Sequence, residues 1–172
     1  MKKKALVILI ILISLIVILS IAINEYNKKM KMYHTLAQLT FEGEITLYIT
    51  NLRIMSATLE AYNENFNATE QQLYKQALNN IHLNLNHLRL TLHYLSSGLY
   101  GSHSSIGWAT HQVNSTLNQI NSINQKEKQQ EIITVLNDYT LELEERKHEL
   151  FTTEQGIYDI KELLEQMYKE LT

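Results

Sequence analysis

The sequence predicts an all-α protein: an N-terminal transmembrane helix followed by an antiparallel up-down-up-down four-helix bundle with coiled-coil-like seams. Three observations predict it. An apolar run of 19 residues, Ala5 to Ile23, follows Lys2, Lys3 and Lys4 and is interrupted only by Ser14 and Ser20. The 172 residues contain no proline and five glycines, where average usage is about 5% and about 7%, so little in the chain breaks a helix. Beyond Ile23, apolar residues recur at steps of three and four, the period of one helix face.

As a helix, residues 5–23 extend about 28 Å, close to the thickness of a bilayer's hydrocarbon core. A cleaved signal peptide carries a shorter apolar region of about 7–15 residues. The run therefore reads as a retained signal anchor in contact with membrane lipid. Ser20 and Ala22 offer only a weak cleavage pattern. Lys28, Lys29 and Lys31 balance the three N-terminal lysines, so the positive-inside rule alone gives a tie. A short basic tail before a long apolar run has the form of a signal anchor. Residues 1–4 are then expected in the cytoplasm and residues 24–172 outside, at the cell membrane.

The four bundle helices are expected at about 24–66, 68–97, 105–123 and 125–171. In the first, Tyr26, Met30, Tyr33, Ala37, Phe41, Ile45, Ile49, Leu52, Met55, Leu59, Tyr62 and Phe66 step by three or four. Asn67 with Glu70 three residues later is a capping pattern that starts the second. Its seam, from Tyr74 through Leu78, Ile81, Leu85, Leu88, Leu92 and Leu95 to Leu99, alternates four and three, as coiled coils do. The stretch 96–108, SSGLYGSHSSIGW, holds three of the five glycines and reads as a turn. The third helix carries Ile106, Val113, Leu117 and Ile120, and Asn124 with Glu127 repeats the capping pattern. The fourth seam runs from Ile132 to Leu171 through Arg146 and Thr153. The expected fourth helix, 125–171, would have 47 residues and extend about 70 Å, too long for the other three. A bend is expected, at Gly156 first and Gly43 second.

Composition excludes several functions. There is no cysteine, hence no disulfide, thiolate metal site or cysteine nucleophile. Past the three N-terminal lysines the chain carries 18 acids and 12 bases, a net charge of −6. A nucleic-acid binder would show a basic footprint, so nucleic acid is not an expected partner. His82, His87 and His93 are spaced by five and six, whereas helical metal pairs sit three or four apart. Glu145 and His148 form one E-x-x-H pair, and a di-iron bundle site needs two. No catalytic set, metal site or cofactor motif is present, so no enzyme is expected and no cofactor.

The candidate sites are surfaces. Between Gln76 and Gln125 the only formal charge besides histidine is Arg89. Within this charge-poor stretch Leu83, His87, Leu90 and Tyr94 form a second stripe, opposite the main seam of their helix. Either both apolar faces of this helix are covered inside one bundle, or the stripe docks another protein. Arg146, at a seam position, either sets register between helices or packs its stem and extends its head to water. Leu99, Tyr100 and Trp108, around the turn, either contact a membrane surface or partner, or cap the open end of the core. Asn67-Ala68-Thr69 and Asn114-Ser115-Thr116 match glycosylation acceptors, a pattern that arises often in Asn-rich chains.

One membrane span followed by a bundle of this size resembles the extracytoplasmic four-helix sensing domain of bacterial chemoreceptors and some histidine kinases. The resemblance covers residues 5–172, rests on topology and length, and carries over no ligand residue. It implies a sensory or ligand-binding bundle that signals through a partner. The residues themselves point first to a single-pass membrane-anchored bundle acting through protein–protein interaction at the cell envelope, in an adaptor, assembly or immunity-type role. Its partner would be another membrane or envelope protein, or a second copy in a homo-oligomer.

Overall fold

The computed structural model describes the backbone of residues 2–101, 105–120, 126–150 and 153–172, and the side chains of 11–101, 105–119, 128–147, 150 and 153–172. Every regular element among them is helical: α1 (Lys2–Glu60), α2 (Ala68–Tyr100), α3 (Gly107–Ile120), α4 (Lys126–Glu145), the single turn α5 (Lys147–Leu150) and α6 (Glu154–Leu171). The chain divides into two compact units, Met1–Ala37 and Gln38–Thr172.

The described residues of the first unit, 2–37, are all helical. Among the described residues, α1 is the helix long and apolar enough to cross a membrane, and none of its apolar window is buried in the protein. Lys28 and Glu25 pair on its surface at 3.0 Å.

The second unit has a continuous apolar core. From α1 it takes Phe41, Ile45, Ile49, Leu52, Met55 and Leu59, and from α2 Leu78, Ile81, Leu85, Leu88 and Leu92. These are seam positions, buried because helical spacing sets them on one face. Val113 and Leu117 of α3 join them, with Ile106 just ahead of it, the α4 seam from Ile132 to Leu143 and the α6 seam from Ile157 to Leu171. Tyr48, Ala109, Ile133 and Leu163 are buried as well, off the seams.

Asn67 caps α2 as its spacing predicts. Its Oδ1 accepts from the backbone of Thr69 and Glu70, and the Glu70 carboxylate accepts from the Asn67 backbone at 2.8 Å. The helix runs three residues past its expected end, through Gly98, and stops at Gly101. There φ is +88°, a conformation costly for any residue with a Cβ, and the Gly101 N–H donates to the Ser97 carbonyl. The second predicted cap, Asn124 with Glu127, lies outside the described residues.

The predicted fourth helix is not one rod. It is α4, the turn α5 and α6, so among the described residues five helices and one turn build the second unit. Arg146 pairs with Asp159 at 3.8 Å, and the Tyr139 hydroxyl donates to Glu170 at 2.7 Å. Partners on α6 rise as positions on α4 fall, so α6 folds back along α4. This removes the length mismatch: α4 and α6 have 20 and 18 residues, about 30 and 27 Å. The break falls between Glu145 and Glu154, just ahead of Gly156, while α1 passes Gly43 without interruption. Thr153 caps α6, its hydroxyl accepting from the Gly156 N–H at 3.0 Å. Gly156 packs so closely on the preceding turn that a Cβ there would lie 2.1 Å from the Leu150 carbonyl oxygen.

Side chains also cross between helices. Ser56 donates to Asn137 at 2.7 Å, Gln129 donates to the Leu59 carbonyl at 2.6 Å, and Arg53 pairs with Glu144. On the exposed side of α1, Thr46, Thr50 and Thr58 turn their hydroxyls onto carbonyls four residues back, at 2.7 to 2.8 Å.

Gly156→Ala is expected to lower the unfolding free energy by about 1–3 kcal/mol through overpacking. Gly43→Ala, where a Cβ meets nothing within 4 Å, is expected to raise it by roughly 0.5–1 kcal/mol. Urea denaturation of both variants in detergent checks the pair. The phenol of Tyr139 is pushed up to about 12 from 10.0 by burial and by its bond to Glu170. Its contribution to stability is constant below pH 10 and is lost as pH rises from 10 to about 12, because the unfolded chain releases that proton first. Urea midpoints measured at pH 9 and 11 should converge in Tyr139→Phe relative to the parent.

Candidate functional site

The α2 core residues Leu85, Leu88 and Leu92 face inward. Leu83, His87, Leu90 and Tyr94 therefore face outward, at the opposite positions of the same turns. Leu83, Leu90 and Tyr94 are 68%, 46% and 71% exposed, and His87 is exposed. Nothing else among the described residues covers this stripe.

Leu99 and Tyr100 are not in a loop. They belong to the last turn of α2, half-buried against the core, and Tyr100 accepts a hydrogen bond from Gln38 at 3.3 Å. They close the core at this end. Trp108 also lies on a helix, as the second residue of α3, and is 64% exposed with its ring 5.5 Å from that of His111. Gly107, just before it, packs against His93, where a Cβ would come within 2.4 Å of Nδ1. His93 in turn contacts Ser105 at 2.6 Å, and its ring lies tilted 5.4 Å from that of Tyr94. Trp108 is thereby brought to the Tyr94 end of the α2 stripe.

Arg146 ends up between two carboxylates of its own chain, Glu142 at 3.1 Å and Asp159 at 3.8 Å, with its head partly in water. It ties the α4–α6 reversal. The partner groups sit on α4 and on α6, where a straight fourth helix could not bring them together. Glu144 accepts from Arg53, which holds its carboxyl below the usual range.

The interior holds a polar group of residues that spacing did not single out. Tyr48, fully buried, donates to Asn114 Oδ1 at 2.8 Å across α1 and α3. Burial pushes the Tyr48 phenol up, and the nearby Arg89 guanidinium pulls it part of the way back. Asn114 Nδ2 and Arg89 Nε are buried without a hydrogen-bond partner among the described residues. Asn114 is 3% exposed, so its acceptor pattern is not presented at the surface, and Asn67 spends its side chain on the α2 cap. The one sequence signal for this group was Arg89, the lone charge of its stretch.

At the other end of α2, a groove of about 490 Å³ opens between α1 and α2, walled by Ile54, Ala57, Ala61, Phe66, Leu73 and Tyr74. Among the described residues no three His, Asp or Glu side chains are grouped to hold a metal ion. No protein-family model, curated protein or solved structure matches the chain.

Tyr48→Phe leaves a buried amide oxygen without its donor and is expected to cost about 1–3 kcal/mol. The Tyr48→Phe/Asn114→Leu double variant, which removes both polar ends, is expected to lose less than the sum of the two single changes. A double-mutant cycle by urea denaturation measures the coupling.

Proposed function

We propose that this chain is a single-pass membrane-anchored helical bundle that acts through protein–protein contact at the cell envelope. Residues 5–23 hold it in the bilayer, residues 24–172 lie outside, neighbouring bundle helices run antiparallel, and the outward face of α2 is the docking surface. The observation that carries this reading is the exposure of Leu83, Leu90 and Tyr94 in one line on a helix with no carboxylate beyond Glu70. Interface cores are depleted of charge and enriched in aromatic residues. Covering Leu83 and Leu90 would contribute about 1.5–3 kcal/mol each before the costs of association. An anchor confines the face near other membrane proteins and raises its effective concentration toward them. The partner is another membrane or envelope protein, or a second copy, and the role is that of an adaptor, assembly factor or immunity-type shield.

A second reading, a sensory or ligand-binding bundle signalling through a partner, is favoured by Arg89 and Asn114. Their unmet groups are both donors, which suits an acceptor such as a carboxylate.

In-cell photo-crosslinking from Leu90 and Tyr94, with intact-mass analysis, tests the docking surface. An adduct to a different protein, or to a second copy, is expected. Leu83→Glu should lower its yield about tenfold or more, since a carboxylate would have to be desolvated on docking. Its melting temperature should stay the same, because Leu83 is exposed. An adduct indifferent to Leu83→Glu, or none, would remove α2 as the docking face and move weight to the ligand-binding reading.

A further inference from the structure

We propose that the stretch of α1 directly beyond the apolar run, Tyr26 to Lys31, binds the headgroups of anionic phospholipids. The site rests on the anchor reading, lies on α1 alone, and names the lipid class that the anchor selects.

Tyr26, Met30 and Tyr33 step by four and three, as the buried part of the α1 seam does, yet they are 63%, 49% and 59% exposed. A phenol is an apolar ring with a hydroxyl at its tip, and such groups settle at the boundary between hydrocarbon and water. Position agrees with composition. The helix is unbroken from Ile23 through Lys31, so the rise per residue sets each depth. Tyr26 stands about 4.5 Å past Ile23 along the axis, Lys28 and Lys29 about 7.5 and 9 Å, and Lys31 about 12 Å. The headgroup layer outside the hydrocarbon is about 5–7 Å thick. Helical side chains lean toward the N-terminus of their helix, which here is the bilayer side. The flexible stems of Lys29 and Lys31 therefore let their ammonium groups reach back into the headgroup layer.

Charge supplies the selectivity. Lys28, Lys29 and Lys31 fall within four residues, and Glu25 is the one carboxylate residue between Ile23 and Glu42. Glu25 is held by Lys28 at 3.0 Å. Lys29 and Lys31 enter no ion pair among the described residues, so two exposed cations remain. An ammonium group donates hydrogen bonds to phosphate oxygens. A zwitterionic lipid sets its own cation beside its phosphate, whereas an anionic lipid leaves the phosphate uncompensated. Juxtamembrane lysines are attracted to the second kind. Asn27, exposed and uncharged, lies one turn before Lys31 on the same side of the helix.

The experiment places the full chain in nanodiscs of phosphatidylglycerol and phosphatidylcholine in equal parts. A photo-crosslinking amino acid at position 27 labels the lipid beside it, and intact mass tells the two lipids apart. Phosphatidylglycerol adducts are expected to exceed phosphatidylcholine adducts about fivefold or more. Lys29→Gln with Lys31→Gln should bring the ratio to about one, and Lys29→Arg with Lys31→Arg should keep it. Both lysines are exposed, so the melting temperature should not change. An equal yield of the two lipids in the parent chain overturns the proposal, as does a bias that survives the glutamine changes. Absence of any lipid adduct from a chain that resists alkaline extraction of cell membranes overturns it too; the anchor then stands, and this stretch faces water or protein. Release of the chain from cell membranes at alkaline pH removes the anchor reading and the lipid site with it.

Discussion

The approach of Gly156 to the carbonyl of Leu150 is the contact on which the arrangement of the second unit depends. It allows α6 to start one turn after α5 and lie back along α4. α6 then reaches α3, which packs on α6 and α2. α3 is only 14 residues long. A helix of that length is marginal by itself and depends on neighbours to bury Val113 and Leu117. The missing side chain at position 156 is therefore felt two helices away.

Much of the helix content and most of the core were legible in the sequence. The α1 seam is buried from Phe41 to Leu59 and the α2 seam from Leu78 to Leu92, where the three–four spacing put them, while Tyr26, Met30, Tyr33 and Tyr62 of the expected α1 seam are exposed; the Asn67–Glu70 cap is formed. The reversal after Glu145 was hidden by the same regularity. Leu143, Arg146, Leu150, Thr153 and Ile157 keep the alternating step because α4 and α6 present their stripes to one common core. A period records which face is buried and carries no record of direction. The signals present were weaker ones: two polar residues at seam positions, and a threonine placed three residues before a glycine. Tyr48 escaped because it lies off the α1 seam and its partner, Asn114, is 66 residues away. Periodicity is local, and a cross-helix hydrogen bond is not. The α2 stripe could be named from the sequence, but its exposure depends on where five helices settle, which no single helix encodes.

The second unit is divided in its electrostatics as well as its packing. α4 and α6 hold carboxylates and lysines in close alternation, with pairs such as Lys161–Glu165 at 4.0 Å. Most of α2 and all of α3 carry amides, hydroxyls and imidazoles instead. The first composition keeps a surface hydrated and wards off contact. The second lowers the desolvation cost of being covered. The α2 stripe, the surface of this unit proposed to make contact, falls on the second kind.

The threonines of α1 extend this contrast to a helix that looks polar in composition. Thr46, Thr50 and Thr58 each donate to a carbonyl of the preceding turn, and Asn51 does so through its amide at 2.8 Å. A hydroxyl used in this way has one donor fewer to offer water. The wetting of this flank is therefore poorer than a count of polar residues suggests. Leu47 and Ile54 of the same helix add apolar surface, both about half exposed. In contact-angle terms, the flank of α1 behaves as a waxed surface with polar letters printed on it.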